Sequence, residues 1–304
     1  MSKIVFWSPL HGQGQTSNLH IISLLMSLMY KRKVLMMQTH MSMNNLEGPL
    51  TGKSMGSTDV YKDYIYQDIG LDAAVMYSRI GMLTDDILES CCITFPDTSL
   101  LLLPGTQTHN REIFEKDISN SICRMVSQAE DKVDIVMIDA NSGNDDLSFK
   151  LMSSADVVVI NLTQRRYILN KLFLEYGDIL KKYKKVFFIF GNYDRFSGYN
   201  IMNCIRKLGK YISNEITGVI PYCSKYMDAQ NDGNILGMVR EGLDSKKAID
   251  MYRLRGRVKR IINPGSLYVN ETDYFFSQAC HTTIKIFNLL NTDRREALTE
   301  RSRI

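Results

Sequence analysis

The strongest constraint on this chain is a short, almost continuous apolar run that recurs seven times, with a longer stretch between each pair. The runs are Lys3 to Ser8, Lys33 to Thr39, Ser99 to Leu103, Asp134 to Asp139, Asp156 to Leu162, Lys185 to Phe190 and Glu215 to Ile220. They are rich in Val, Ile, Leu and Phe and lack polar alternation, the pattern of strands buried on both faces. Helix-like segments are expected at Thr16 to Tyr30, Asn110 to Glu130, Tyr167 to Tyr183, Tyr199 to Tyr211 and Asp273 to Leu290. Strand–helix–strand alternation implies right-handed crossovers and a mainly parallel sheet. The expected fold is a three-layer α/β/α sandwich with a mainly parallel, doubly wound sheet. Gly48 to Ser57 (GPLTGKSMGS) is the most loop-like interior segment, and no repeat or linker divides the chain. Residues 1–290 are therefore read as one domain and residues 291–304 as a polar tail that frays.

Composition removes other classes. With 304 residues, 44% hydrophobic and 23% charged, the chain is neither disordered nor a disulfide-stapled miniprotein. No apolar run approaches ~20 residues, so no membrane-spanning helix is expected. The N-terminus enters a strand-like run directly, without signal-peptide anatomy, and the expected location is cytoplasmic. The six Cys (Cys91, Cys92, Cys123, Cys204, Cys223, Cys280) form no CxxC and no metal-ligand spacing, and read as reduced thiols. The net charge of +4 does not by itself imply nucleic acid.

In open parallel sheets ligands sit beyond the C-terminal ends of the strands. The first strand runs into Ser8-Pro9-Leu10-His11-Gly12-Gln13-Gly14-Gln15-Thr16-Ser17 and then a helix. A Gly-rich turn at a helix N-terminus gathers backbone N–H groups and the positive end of the helix dipole, and so cradles anions. A P-loop ends in Gly-Lys-[Ser/Thr], with Lys for the β- and γ-phosphates and the hydroxyl for Mg²⁺. Here the triplet is Gly14-Gln15-Thr16: the hydroxyl is present and the Lys is not. Gly52-Lys53-Ser54 imitates such an ending, but no strand precedes it and no apolar helix follows, so it reads as loop.

The loop and the segments after it resemble the ParA/MinD family of deviant Walker A ATPases, over roughly residues 1–290. Against the family pattern Lys-Gly-Gly-x-Gly-Lys-Thr, the chain keeps Gly12, Gly14 and Thr16, and places Leu10 and Gln15 at the two Lys positions. Val133 to Gly143 (VDIVMIDANSG) is similar to the Walker B strand and the switch after it. The resemblance implies that Gly12, Gln13, Gly14, Gln15, Thr16, Ser17 and Gly143 surround phosphates. It also implies that Thr16 and, through water, Asp139 hold Mg²⁺, and that Asn192, Pro221 and Tyr222 contact the base. Ser99 to Gly105 (SLLLLPG) and Ala229 to Gly233 match further family segments, the latter a loop over the base. The second strand departs: where the family has Asp-x-Asp, this chain has Gln38 and His40, and Met43 to Glu47 offers no obvious replacement acid.

Phosphoryl transfer rests on positioning and on stabilising charge at the moving oxygens. Both cations and the water-orienting carboxylates are replaced, and a neutral donor such as Gln15 is about half as strong as a charged one. Loss of a transition-state cation lowers rates by ~10³ or more. Binding of ATP or ADP with Mg²⁺ needs only amides, dipole, Thr16 and base contacts. The expectation is a degenerate nucleotide-binding member, of the kind represented by TadZ-like proteins, acting as a positioning or assembly scaffold. The alternative is an active ATPase that uses unorthodox residues to partition or localise DNA or a secretion or pilus complex. His11 and His40 are the nearest substitutes for charge.

The resemblance further implies a homodimer and a protein partner in a secretion, pilus or partition system. Leu10 cannot cross to a partner as the family's signature Lys does, although it could pack in a constitutive interface. Residues 240–260 carry a local charge excess of +5. Arg253, Arg255, Arg257, Lys259 and Arg260 within them make a candidate nucleic-acid patch, with a solvated helix face as the plainer reading. Ile284, Ile286, Phe287, Leu289 and Leu290 are expected to pack on the sheet and not on a membrane. The many Met near the second strand are expected to fill core space.

Overall fold

A computed structural model describes residues 2–40, 46–52, 69–106, 114–209, 211–244 and 270–292. In chain order the elements begin with β1 (Ser2–Trp7), α1 (Gln15–Tyr30), β2 (Val34–Gln38), α2 (Gly48–Thr51), α3 (Leu71–Arg79), α4 (Asp85–Ser90), β3 (Ile93–Thr94) and β4 (Leu100–Leu102). A π-helical turn at Phe114–Ser119 leads into α5 (Asn120–Glu130). Then come β5 (Ile135–Asp139), α6 (Asp146–Ser153), β6 (Val157–Leu162), α7 (Arg166–Glu175), α8 (Gly177–Leu180), β7 (Val186–Tyr193) and α9 (Ile201–Leu208). The last are β8 (Thr217–Pro221), α10 (Ser224–Asn231), α11 (Ile235–Asp244) and α12 (Glu271–Leu290).

All seven expected strands form, and with the short edge strand β3 they make one eight-stranded sheet of order β3-β4-β2-β5-β1-β6-β7-β8. Every pairing is parallel except β3 with β4. Alternate residues of the central strands feed two cores. Val5, Leu35, Val136 and Val158 face α3 to α9, whereas Ile4, Met36, Met137 and Val159 face α1, α2 and α10 to α12. This double burial is why the strands read as unbroken apolar runs. It puts β1, flanked by β5 and β6, at the centre of the sheet, with the loop after β1 between the strands that carry Asp139 and Asn161.

Helix α12 runs against β8 because Gly218 has no side chain: a Cβ there would strike Thr282. The Thr282 hydroxyl instead sits within hydrogen-bond distance of both Val219 N, 3.0 Å, and Val219 O, 2.9 Å. Phe287 stacks on Tyr30 at 3.8 Å, Ile286 is fully buried, and Leu289 and Leu290 pack partly on the same core, as expected for a helix lying on the sheet. All six Cys are free.

Several expectations are corrected. The loop-like segment 48–57 begins with α2, started by Pro49 and ended by Gly52 at φ 71°. The helix expected over Tyr167 to Tyr183 is broken at Tyr176, which seats its ring edge-on against Trp7 at 4.9 Å. The Ala229 to Gly233 loop is mostly helix: Ala229 to Asn231 form the last turn of α10. Edge strand β3 and helices α3, α4, α6, α10 and α11 are additions, each too short or too polar to stand out in sequence. Lys53 and Ser54, the patch Arg253, Arg255, Arg257, Lys259 and Arg260, and tail residues 293–304 lie outside the described residues. Among the described residues no helix is long and apolar enough to cross a membrane.

Candidate nucleotide site

The turn after β1 takes its shape from two glycines. Gly12 (φ 77°) and Gly14 (φ 72°) occupy the left-handed region, which other residues adopt at a cost. Gly14 is the N-cap of α1, and no side chain caps the helix there. Among the described residues the backbone N–H groups of Gly12 through Ser17 donate to no protein acceptor. Any helix leaves its first amides open; the glycine turn brings Gly12, Gln13 and Gly14 to the same place.

The Gln15 side chain does not reach out of this turn. Its Nε2 donates to Asp139 Oδ1 (2.6 Å), Ala140 O (2.6 Å) and Phe6 O (3.1 Å), and the residue is buried. The Thr16 hydroxyl donates to the other carboxylate oxygen, Asp139 Oδ2, at 2.6 Å. His40 Nε2 lies 3.6 Å from the same oxygen. Asp139 is thus a fully buried carboxylate served by two neutral donors. Burial pushes its pKa up, and His40, Thr16 and Gln15 pull it back. Burial likewise pushes His40 down, partly opposed by Asp139.

The segment after β5 is tied to β1. The Gly143 N–H donates to Ser8 O at 2.9 Å, its carbonyl accepts from Trp7 Nε1 at 3.1 Å, and the Ser8 and Ser142 hydroxyls are 2.8 Å apart. On the other side of the turn the Thr163 hydroxyl donates to Gln13 Oε1 at 2.8 Å and Asn18 Nδ2 to Asn161 Oδ1 at 2.9 Å. Leu10 packs partly against the core of its own chain.

On the β7–β8 side, Asn192 is exposed with φ 46°, and its amide borders Gly14, whose Cβ would lie 3.9 Å from Asn192 Nδ2. Pro221 ends β8 buried, and Tyr222 follows it exposed, its N–H on Tyr193 O at 3.2 Å. The structure adds Tyr226, which the sequence reading missed, and sets Gln230, read there as part of the Ala229 to Gly233 loop, against Ser17. From α10, the Tyr226 hydroxyl donates to Ser17 O at 2.7 Å and Gln230 Nε2 donates to Ser17 Oγ at 2.9 Å.

Gln38 and His40 separate in role. His40 joins Asp139, whereas the Gln38 carboxamide lies on Gly105, where a Cβ would strike it. A buried acid does follow β2: Glu47 Oε1 accepts from Gly105 N at 2.7 Å, and burial raises its pKa. Read in sequence as part of a featureless stretch, Glu47 gave no signal, because only the approach of Gly105 makes it a buried carboxyl.

Hard oxygen donors suit Mg²⁺. Thr16 keeps lone pairs free while donating to Asp139, so the pair fits a Mg²⁺ held by the hydroxyl with the carboxylate behind it. Among the described residues no group of three or more His, Cys, Asp or Glu could hold a metal ion.

No protein-family model and no curated protein matches the chain. Solved structures do. The ParA family ATPase from Chlorobium tepidum TLS superposes with a TM-score of 0.62 at 16% identity, over 78% of this chain and 91% of its own. The septum site-determining protein MinD complexed with Mg-ADP from Pyrococcus horikoshii OT3 gives 0.61 at 16% identity, over 96% and 99%. The MinC:MinD cell division protein complex of Aquifex aeolicus gives 0.62 at 15% identity, over 95% and 96%. The sheet order and the glycine turn after its central strand therefore define a P-loop NTPase-like α/β fold. Within that class the fold is that of the ParA/MinD ATPases. At these identities the likeness is one of fold.

Proposed function

We propose that the chain is a nucleotide-binding positioning or assembly protein with weak or no ATP hydrolysis. The observation that carries this reading is the turn itself. Six amides, Gly12 to Ser17, donate to no protein acceptor among the described residues, while the Gln15 side chain is drawn back onto Asp139, Ala140 and Phe6. Affinity for a polyphosphate then comes from amides, the α1 dipole and a Mg²⁺ on Thr16 and Asp139. When bound, Mg²⁺ would neutralise phosphate charge. Gln15 stands where a P-loop has its lysine, and loss of such a cation removes ~10³ or more in rate. A homodimer, and a protein partner in a secretion, pilus or partition system, fit a scaffold role.

Titration calorimetry of the purified chain with ATP and ADP, with and without Mg²⁺, tests this. Micromolar binding, weakened about tenfold or more by Thr16→Ala with Mg²⁺ present, and phosphate release near background are expected. Absence of binding to either nucleotide overturns the reading.

One observation favours a second reading, an ATPase with unorthodox residues: His40 Nε2 stands 3.6 Å from Asp139 Oδ2 beside the cradle. Under that reading His40→Gln abolishes a measurable turnover; under the first any turnover is at most weak and His40→Gln leaves it unchanged.

A further inference from the structure

Helix α10 reaches the turn after β1 at Ser17. The Tyr226 hydroxyl donates to Ser17 O at 2.7 Å, and Gln230 Nε2 donates to Ser17 Oγ at 2.9 Å. Residues 226 and 230 stand one helical turn apart and so share a face. Both oxygens of Ser17 thus accept from α10, and both of its donors are left over. Among the described residues neither its N–H nor its O–H meets a protein acceptor. Thr16 beside it differs, since its hydroxyl donates to Asp139 Oδ2 at 2.6 Å. A serine on a helix can also turn back onto the carbonyl four residues earlier; Ser17 makes no such bond to Gln13 O.

The helix that holds Ser17 is itself fixed. Tyr226 is buried, with its ring 4.8 Å from that of Phe275 on α12. The turn that ends α10 is closed against Gly52, where a Cβ on Gly233 would meet backbone. A hydroxyl has one proton and two lone pairs and turns about its C–O bond. An amide nitrogen only donates, so Gln230 occupies a lone pair of Ser17 Oγ and turns the proton away from itself. What remains on Ser17 is an N–H and an O–H, in the first turn of α1 beside the amides of Gly12 to Thr16. Such a residue suits a group that only accepts, as the oxygens of a phosphate do.

We propose that Gln230 is a positioning residue of the nucleotide site: its donation to Ser17 Oγ fixes that hydroxyl as a donor, so that Ser17 gives a bound phosphate two hydrogen bonds, one from N–H and one from O–H. This rests on the nucleotide reading above. Gln230 itself never meets the phosphate; it acts through Ser17. Tyr226, on the Ser17 carbonyl, holds the first turn of α1 against α10. Hydrogen bonds to an ionised acceptor are the strong ones, so the direction of one hydroxyl is worth about tenfold or more in affinity.

The test is calorimetric titration of the full chain with ATP and Mg²⁺. Ser17→Ala should weaken binding about tenfold or more. Gln230→Met keeps the side-chain length, removes the N–H donors and should weaken binding about threefold to tenfold. In the Ser17→Ala background the same Gln230→Met change should cost less than about twofold, because a double-mutant cycle isolates what acts through the partner. Gln230→Glu puts an acceptor where the donor was, takes the Ser17 proton for itself and should weaken binding further than Gln230→Met. Gln230 is partly exposed, so both variants should keep the parent melting temperature; if Gln230→Met does not fold, Gln230→Glu serves in the same cycle. A loss of equal size in both backgrounds would make Gln230 a structural residue and overturn the proposal, as would unchanged affinity in Gln230→Met or in Gln230→Glu. Those outcomes leave the nucleotide reading standing, whereas a parent that binds neither ATP nor ADP overturns that reading and this proposal with it.

Discussion

At the scale of single residues the site turns on what stands at position 15. An amide nitrogen carries two protons, yet Gln15 Nε2 has three acceptors within 3.1 Å. Three acceptors around one nitrogen suit an ammonium, so Gln15→Lys should be accommodated where the Gln now sits. The new cation would compensate the buried Asp139 carboxylate, which burial now destabilises. It would also add charge to the cradle. The expected outcome is ATP affinity raised about tenfold or more by calorimetry, with the fold retained. Unchanged affinity would mean that the amides alone set binding. The missing Lys was plain from the sequence. The inward turn of Gln15 was not, because its acceptors come from β1 and β5.

At the scale of elements, α2 shows how a short, weak helix is held in place. Its lead-in, Leu46 O, accepts from His20 Nε2 on α1 at 2.7 Å, and Glu47 bonds Gly105. Its end, Gly52, meets the turn after α10, where a Cβ on Gly233 would be driven into the Gly52 backbone. Gly233 also has φ 67°. Gly233→Ala therefore combines overpacking with backbone strain and should destabilise the protein by roughly 3 kcal/mol. The measurement is the urea midpoint at constant slope; a change below about 0.5 kcal/mol would show that the two turns separate freely. Helices such as α10 escaped the sequence reading because their burial is slight. Tyr226 and Ala229 alone face inward, and the remainder is polar enough to pass for loop.

At the scale of the molecule, stability should depend on pH through His20. Its ring is fully buried, Nε2 on Leu46 O and Nδ1 without a partner, and burial lowers its pKa from 6.5 to about 4. The unfolded chain takes up this proton below about pH 6.5 and the folded chain only near 4. The stabilisation is therefore complete above 6.5 and is lost as pH falls, by about 3 kcal/mol at the end of that window. Glu47 and Asp139, both raised by burial, act with the opposite sign: their contribution is present at low pH and is lost as pH rises through their folded values. Denaturant unfolding of the parent and His20→Gln from pH 7.5 to 4.5 isolates the histidine. The difference between the two should shrink as pH falls, and parallel curves would refute a neutral buried His20.

The sequence by itself determined the sheet and the glycine turn after β1. Strands buried on both faces, such as Val157 to Leu162, are written in consecutive apolar residues, and the turn after β1 in Gly12, Gly14 and Thr16 that are neighbours in the chain. The tertiary structure alone decided what gathers around Asp139 and the turn. Gln15 on Asp139, His40 beside it, Glu47 on Gly105 and Gln230 on Ser17 join residues between 58 and 213 positions apart. Local periodicity carries no information about such pairs, because packing and burial bring them together only once the sheet has formed.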